Sequence, residues 1–286
     1  MKRVTVALTV AVVVWVSGCS SDAGTSLQSR RRLPNGLRVP AGARLIGRPV
    51  PDLTSFITGT APADAQYAWA AHLSIDGSAR RVYSRIRKAA GRAGLSGLPA
   101  ASTACDTAGH PGPTGGGTGS GGQLTTCGGS GGPGTVAGTL GPVLRVEVAR
   151  CERCEPATGI GRITYEGPFG SGAGQRVKPL HGLHVQGSSD PRRWLRLPGT
   201  RVLRNGWYHA CEQNQLVALT VKGRPAQVWR AALANSPPVV GAASTKSGGS
   251  EVWQAVTFGD SKTDHLTMDF GARPNPVLFI AHCEGD

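Results

Sequence analysis

Two distant parts of the chain resemble each other and constrain the fold more than any other feature. Residues 73–77 (LSIDG) match residues 219–223 (LTVKG), and residues 142–146 (PVLRV) match residues 276–280 (PVLFI). Both later runs lead into an Ala-x-Cys-Glu sequence. The alternative is chance similarity in a chain rich in Val, Leu and Ala. Because the parts recur in the same order, we predict an internal duplication of a unit made of strand, helix, loop and strands.

Each half contains one predicted helix, and both helices contain a valine followed by an aromatic residue. The two Val-aromatic pairs are separated by the same number of residues as the runs 73–77 and 219–223. In the first helix the apolar residues recur at helical spacing on one face, and they are Val82, Tyr83, Ile86, Ala89 and Ala90. Ser78 is a suitable N-cap, and Gly91 or Gly94 a suitable stop. The second helix follows Pro225 and ends near residues 235–238 (NSPP).

A segment of small residues follows each helix, at residues 109–134 and at residues 241–250. Half of the first segment is glycine. Glycine at this density raises the conformational freedom of the backbone and resists ordering. We therefore predict that both segments are surface loops.

Both halves contain short runs with strand character. Some of these runs consist of strand-forming apolar residues, and in others apolar and polar residues alternate. These runs are residues 143–148, 163–165, 183–185, 194–197, 252–258 and 266–270. Together with one helix in each half, these short strands indicate antiparallel sheets. The predicted fold class is α+β, with antiparallel sheets each packed against one helix.

The beginning of the chain has the tripartite form of a secretory signal. Basic residues at positions 2–3 precede an apolar run, at positions 4–16, which is too short to span a membrane. Residues 16–19 (Val16-Ser17-Gly18-Cys19) then resemble the lipobox of bacterial lipoproteins. The resemblance covers this segment alone, and it implies cleavage before Cys19 and a diacylglycerol on its thiol. The alternatives are a plain signal peptide and an uncleaved anchor helix.

This resemblance sets the predicted organisation of the chain. Residues 1–18 are the signal peptide, and residues 19–50 are the lipidated cysteine with a flexible tether rich in Arg and Pro. Residues 51–156 form the first α+β unit, and residues 157–286 form the second. A large excess of Arg over Lys, together with abundant Ala, Gly and Pro, is typical of a GC-rich, actinobacterial-like genome.

Six cysteines remain after Cys19, an even number that predicts three disulfides in an exported chain. They are Cys105, Cys127, Cys151, Cys154, Cys211 and Cys283. Six cysteines allow 15 pairings. Position offers only hints: Cys105 and Cys127 flank the glycine-rich segment, and Cys151 and Cys154 are close enough to pair with each other. A Cys-x-x-Cys pair is also typical of thiol oxidoreductases, where it begins a helix, but a loop is predicted here.

Catalytic motifs are missing or misplaced, so no catalytic, cofactor-binding or metal-ligating residue is predicted, and no cofactor. Residues 259–261 (GDS), with His265 nearby, are similar to the nucleophile block of GDS-type esterases. In that family the serine and the Asp-His pair lie at opposite ends of the domain, whereas here they are close neighbours in sequence. A hairpin turn explains this sequence better.

The net charge of +14 is concentrated in two places. Residues 1–50 contain eight basic residues and one acid, and residues 80–92 contain six basic residues and no acid. The second group lies on the polar face of the first helix and consists of Arg80, Arg81, Arg85, Arg87, Lys88 and Arg92. Such a face fits an anionic partner: phospholipid headgroups, an envelope polymer or an acidic protein. A solvated face is the alternative, and a nucleic acid partner does not fit an exported protein.

These features predict an extracytoplasmic lipoprotein that is held at the cell membrane by lipid on Cys19. Its predicted role is a non-enzymatic binding or structural module of the bacterial cell envelope. One alternative is an envelope hydrolase whose site is assembled from dispersed residues. Another is a thiol-disulfide oxidoreductase that uses Cys151 and Cys154. An enzyme predicts a pocket where Ser, His and acidic groups converge with perturbed pKa values.

Overall fold

A computed structural model describes residues 27–28, 32–59, 67–110, 122–132, 143–152, 158–167, 177–181, 183, 191–208 and 213–285. The strands among these residues are β1 Leu27–Gln28, β2 Ala43–Pro51, β3 Tyr67–Ile75, β4 Cys105–His110, β5 Gly122–Gly131, β6 Val143–Glu152, β7 Thr158–Gly167, β8 Lys178–Pro179, β9 Thr200–Tyr208, β10 Gln213–Val221, β11 Val239–Ser247, β12 Ser250–Gly259, β13 Lys262–Asp269 and β14 Val277–Glu284. The α-helices are α1 Thr54–Ile57, α2 Ala79–Arg92, α3 Ala101–Ala104, α4 Pro191–Trp194 and α5 Pro225–Ala234, and Pro34–Gly36 forms a 3-10 turn.

The strands form two antiparallel sheets of seven strands each. The first sheet has the order β1-β2-β3-β7-β6-β5-β4, and the second has the order β8-β11-β12-β13-β14-β10-β9. The prediction of antiparallel sheets with a helix on each is confirmed, although strands make up far more of the described residues than helices do. The fold is therefore mostly β within a loose α+β description.

The order of elements around the helix is the same in both sheets. The strand before the helix, β3 or β10, pairs with the last strand of the four-stranded meander after it, β7 or β14. On its other side that strand pairs with the strand before it in the chain, β2 or β9. Each sheet thus contains the same six-strand arrangement around one long helix.

Side chains that alternate along the strands build the three largest cores among the described residues. One face of the first sheet packs on α2, with a core that includes Leu45, Leu73, Val82, Ile86 and Val146. One face of the second sheet packs on α5, with a core that includes Leu219, Val228, Leu233, Leu266 and Ile280. The opposite faces meet each other through Ile46, Ile160, Leu216, Ala218 and Phe279. The layers therefore follow the order α2, first sheet, second sheet, α5.

Helix α2 matches its prediction closely. Its buried residues are Ala79, Val82, Tyr83, Ile86 and Ala90, and the chain leaves the helix at Gly94, which has a positive φ of 78°. Ser78 occupies the N-cap position, but its side chain makes no capping hydrogen bond. Packing of the apolar face, rather than capping, therefore stabilises this helix.

Both segments predicted as surface loops contain strands where the structure describes them, and residues 111–121 and 133–134 lie outside the described residues. Strand β5 lies within residues 109–134, and β11 covers most of residues 241–250. A β-carbon at Gly129 would lie 2.5 Å from the Tyr83 hydroxyl, and one at Gly241 would lie 2.9 Å from Ile57 Cγ2. Glycine is needed here because another element packs directly on the strand backbone. Only residues 248–249 of the second segment form a turn.

The predicted domain boundaries also differ from the structure. Strands β1 and β2 belong to the first sheet, although residues 19–50 are predicted as a tether. Leu33 and Leu37 are buried in the core beneath α2. Strand β7 completes the first sheet, although residue 157 is the predicted start of the second unit. Sheet pairing, which sequence composition does not reveal, places these segments in the first unit.

Two predicted strands in the second half are not found as such. Trp194 lies at the end of α4, and Leu197 lies in the turn after it. Leu183 lies outside any strand, and residues 184–185 lie outside the described residues. Trp194 and Trp229 are buried in the second core and Trp253 packs against it, so these aromatic residues serve packing.

Candidate functional sites

The basic face of α2 (residues Arg80, Arg81, Arg85, Arg87, Lys88 and Arg92) is exposed on the outer surface of the molecule. All six side chains are exposed, while the opposite face of the helix is buried. Two of the six are held by backbone carbonyls: Arg85 Nη1 donates to Ala41 O at 2.5 Å, and Arg87 Nε donates to Leu98 O at 2.9 Å. The structure thus presents these cations together on one face.

The segment before β2 adds charge to the same layer. Leu33, Leu37 and Val39 are buried in the core that contains α2. Arg32 and Arg38 point outward and are exposed. The predicted tether residues 32–39 therefore pack in the α2 layer, whereas residues 43–50 belong to β2 of the first sheet.

A second polar group lies between the two sheets and brings together residues distant in sequence. Asp52 accepts hydrogen bonds from Thr54 N at 3.1 Å and Thr54 Oγ1 at 2.6 Å, and it pairs with Arg162 Nη2 at 3.2 Å. His265 Nδ1 lies 3.5 Å from Thr54 Oγ1. His72 is buried nearby, and its ring stacks on Phe279 with centroids 3.7 Å apart. We call this set the intersheet cluster.

Burial and charge shift the pKa values of the intersheet cluster. Burial and the neighbouring Arg162 lower the pKa of His265 to about 4, and they hold the pKa of His72 well below its usual range. Burial alone would raise the pKa of Asp52, but Arg162 and the Thr54 hydrogen bonds outweigh it and lower the pKa. At neutral pH both histidines are therefore uncharged beside an Asp–Arg ion pair.

The contacts in and around the intersheet cluster have a structural role, because they hold the start of α1 and connect it to the second sheet. The two Thr54 hydrogen bonds to Asp52 hold the first turn of α1, which begins at Thr54. Gln254 of β12 accepts from Leu53 N at 2.7 Å and donates to Pro51 O at 2.5 Å. These bonds tie the start of α1 to the second sheet. The cluster could not be predicted from sequence patterns, because its members lie on β3, β7, β13, the β2–α1 connection and the start of α1.

A third polar group is the buried pair of Asp264 and His282 in the second unit. These residues are cross-strand neighbours on β13 and β14, and His282 Nδ1 lies 2.6 Å from Asp264 Oδ1. Both side chains are fully buried, and burial raises the pKa of Asp264 despite the hydrogen bond to His282. The predicted hairpin turn at residues 259–261 is present between β12 and β13, with positive φ at Asp260 and Ser261. Asp264 thus partners His282 rather than the adjacent His265.

Of the cysteine pairings left open by the sequence, the structure shows the one between Cys105 and Cys127. Cys105 and Cys127 face each other on β4 and β5 and form a disulfide with a Cα–Cα distance of 4.0 Å. Cys151 and Cys283 are also disulfide-bonded, whereas Cys154 and Cys211 lie outside the described residues. Cys151 is buried within β6. It therefore lacks the accessible position at a helix start that a thiol oxidoreductase uses.

Two surface cavities lie away from the intersheet cluster. One of about 690 Å³ is lined by Arg193, Arg196, Leu197, Pro198, Ala231, Ala234 and Asn235. One of about 210 Å³ is lined by Lys178, Ser244, Thr245, Lys246 and Glu251. Neither contains a residue of the intersheet cluster. Across the described part of the chain, no three His, Cys, Asp or Glu side chains are placed to hold a metal ion.

Comparison with known proteins assigns no family to the chain. No protein-family model matches it, and no similar curated protein was found. Among solved structures, a tesB protein of Mycobacterium avium subsp. paratuberculosis is 10% identical over 86% of this chain and 92% of its own, with a TM-score of 0.19. A fusion DH domain is 15% identical over 90% and 91%, with a TM-score of 0.17. An acyl-CoA thioesterase II, TesB2, from Mycobacterium marinum is 7% identical over 75% and 92%, with a TM-score of 0.15. Scores this low support no argument about fold or activity.

No helix in the described ranges has both the length and the apolar composition needed to cross a bilayer.

Proposed function

We propose that this protein is an exported lipoprotein, anchored by lipid on Cys19 at the extracytoplasmic face of the cell membrane, which acts as a non-enzymatic binding or structural module of the cell envelope. Its binding surface is the basic face of α2, and its partner is anionic. The observation that carries this proposal is the asymmetry of the outer layers. Helix α2 exposes six cations without an acid, whereas α5 contains a single basic residue, Arg230.

The cysteines support export. Disulfides persist in oxidising compartments and are rare in the cytosol. Cys105, Cys127, Cys151 and Cys283 are all disulfide-bonded. This agrees with the secretory form of the segment that ends at Cys19.

The intersheet cluster is the observation that favours the second candidate, an envelope hydrolase. It combines a hydroxyl, a histidine and a carboxylate with shifted pKa values, as a dispersed catalytic site would. We favour the binding module because the Thr54 hydroxyl donates to Asp52 instead of to His265. A hydrolase predicts that Thr54→Val abolishes ester or amide hydrolysis by the purified protein without unfolding it.

We also propose that the two units arose by internal duplication, because they share a structural detail at the start of the helix. In the first unit, Gly42 O accepts hydrogen bonds from Asp76 N and Gly77 N. In the second, Gly199 O accepts from Lys222 N and Gly223 N. Both acceptor glycines have a positive φ, of 89° and 74°. Each glycine also packs against the second donor glycine and against the first valine of the helix that follows.

Anchoring is tested by fractionating cells that express the full chain or its Cys19→Ala variant. The wild-type protein is expected in the membrane fraction and to be released by detergent but not by high salt. Cys19→Ala is expected to leave this fraction, because two acyl chains are what give stable attachment. If the variant stays in the membrane fraction as the wild type does, lipid anchoring is wrong.

A further inference from the structure

We propose that the α2 layer docks flat on the membrane that holds the anchor, with anionic phospholipid headgroups as the partner of its basic face. This rests on the proposed anchoring at Cys19. It adds an orientation for the molecule: the α2 layer faces the bilayer, and the α5 layer faces away from it.

The first argument is the short distance between the anchor and the folded body. Strand β1 begins at Leu27 and pairs with β2 at the edge of the first sheet. Only seven residues separate Cys19 from Leu27, and a fully extended chain of that length reaches at most roughly 30 Å. The body therefore stays within one small domain diameter of the membrane.

The second argument is the layer on which the chain enters the body. After β1, Leu33, Leu37 and Val39 pack in the same core as α2. Arg85 of α2 then donates to the carbonyl of Ala41. The segment that leads from the anchor thus runs against the basic helix, on the opposite side of the sandwich from α5.

The third argument is the number of cations that remain available on this layer. Asp76 is engaged by Arg44, with Nε at 2.7 Å from Oδ2. On the α2 layer, the exposed cations with neither a carboxylate nor a carbonyl partner among the described residues are Arg32, Arg38, Arg80, Arg81, Lys88 and Arg92. Each basic residue close to an anionic leaflet contributes its own attraction to the total. Basic residues more than a Debye length from the leaflet are screened and contribute little. When this layer is held near a bilayer, its six free cations can act together on the headgroups.

The test uses the lipidated full-length protein reconstituted on vesicles of zwitterionic lipid alone or with anionic lipid added. Lys88 lies on the basic face, and Lys222 lies in the turn before α5 on the opposite layer. Both are exposed, so a water-soluble amine-reactive reagent and peptide mass spectrometry report each surface separately. We expect anionic vesicles to slow modification of Lys88 but not of Lys222, and high salt to remove this protection.

A variant with Arg80, Arg81 and Arg92 changed to Gln keeps Lys88 as the reporter. Each cation removed is expected to weaken docking roughly fivefold, so protection of Lys88 is expected to disappear. The matched control changes Arg196, Arg224 and Arg230 to Gln, which removes the same charge from the α5 side and is expected to leave protection intact.

The outcomes separate docking from anchoring. If the protein floats with both kinds of vesicle but Lys88 reacts equally on both, docking on lipid is wrong and anchoring stands. If it floats with neither, the proposed anchoring itself fails. If Lys88 is protected in isolated envelopes and not on anionic vesicles, a polymer or an acidic protein is the partner and the lipid proposal is overturned.

Discussion

At the scale of single residues, two arginines on β2 make ion pairs of different kinds. Arg44 pairs with Asp76 at the surface, where the side chains are 39% and 42% exposed. Arg48 pairs with Asp269, whose side chain is fully buried, and so joins β2 to the second sheet. Burial raises the pKa of Asp269, and Arg48 opposes that shift. Arg48 therefore favours the charged form of the Asp269 carboxyl inside the protein, as does the hydrogen bond from Gly271 N.

This difference predicts unequal effects of two similar substitutions. Arg48→Ala removes the ion-pair partner of a buried carboxyl group and is expected to lower the free energy of unfolding by about 3–5 kcal/mol. Arg44→Ala removes an exposed pair and is expected to cost at most about 1 kcal/mol. Urea unfolding at neutral pH measures both. Equal losses for the two variants would contradict the assignment of Arg48 as the buried partner.

At the scale of elements, each long helix begins where two glycine backbones touch. A β-carbon at Gly42 would lie 3.4 Å from both Gly77 Cα and Val82 Cγ2. One at Gly199 would lie 3.3 Å from Gly223 Cα. The positive φ of Gly42 and Gly199 is also one that other residues adopt only with strain. These turns fix how each strand passes into its helix.

Substitutions at glycines distinguish this role from helix propensity. Gly42→Ala and Gly199→Ala are each expected to destabilise the fold by about 1–3 kcal/mol, through backbone strain and crowding. Gly91 lies on the exposed side of α2, and a β-carbon there would have no atom within 4 Å. Gly91→Ala is therefore expected to stabilise the fold by roughly 0.5–1 kcal/mol. Thermal unfolding followed by circular dichroism gives the sign of each change. Stabilisation by Gly42→Ala or Gly199→Ala would refute the turn role.

At the scale of the whole molecule, the two sheets are joined partly through the intersheet cluster, which makes their contact sensitive to pH. The pKa of His265 is about 4 in the folded protein, compared with its ordinary value of about 6.5. Between these two pH values His265 is protonated in the unfolded chain and uncharged in the folded protein. The contribution of His265 to stability is therefore fully present above about pH 6.5 and is lost as the pH falls toward 4. His72 acts in the same direction.

We therefore expect the free energy of unfolding to depend less on pH in His265→Asn than in the wild type. The difference in slope between pH 6.5 and 4 is expected to be at most about 1.4 kcal/mol per pH unit. The difference between the two curves cancels the contribution of carboxyl groups that titrate in both proteins. Asp264 is one of these, and its raised pKa increases stability as the pH falls. His181→Asn, at an exposed position, is the control. Parallel curves for the wild type and His265→Asn would contradict this prediction.

Local patterns predicted the parts of the fold that depend on near neighbours in sequence. The apolar face of α2, the strand of residues 252–258 and the turn at residues 259–261 all follow from spacings within a few residues. The glycine-rich segments misled prediction because their glycines meet partners such as Tyr83 and Ile57, which are far away in the chain. Propensity describes a segment alone, whereas these strands are ordered by the elements packed on them.

Patterns along the chain alone predict a secretory segment that ends at Cys19 and an internal duplication, and they place the six cations of the basic face on one helix. Tertiary structure alone decided that β1, β2 and β7 join the first sheet and that Asp52, Arg162 and His265 meet between the sheets. It also placed α2 and α5 on opposite outer layers. Strand pairing and sheet packing join residues that are far apart in the chain, and no local spacing encodes those pairings.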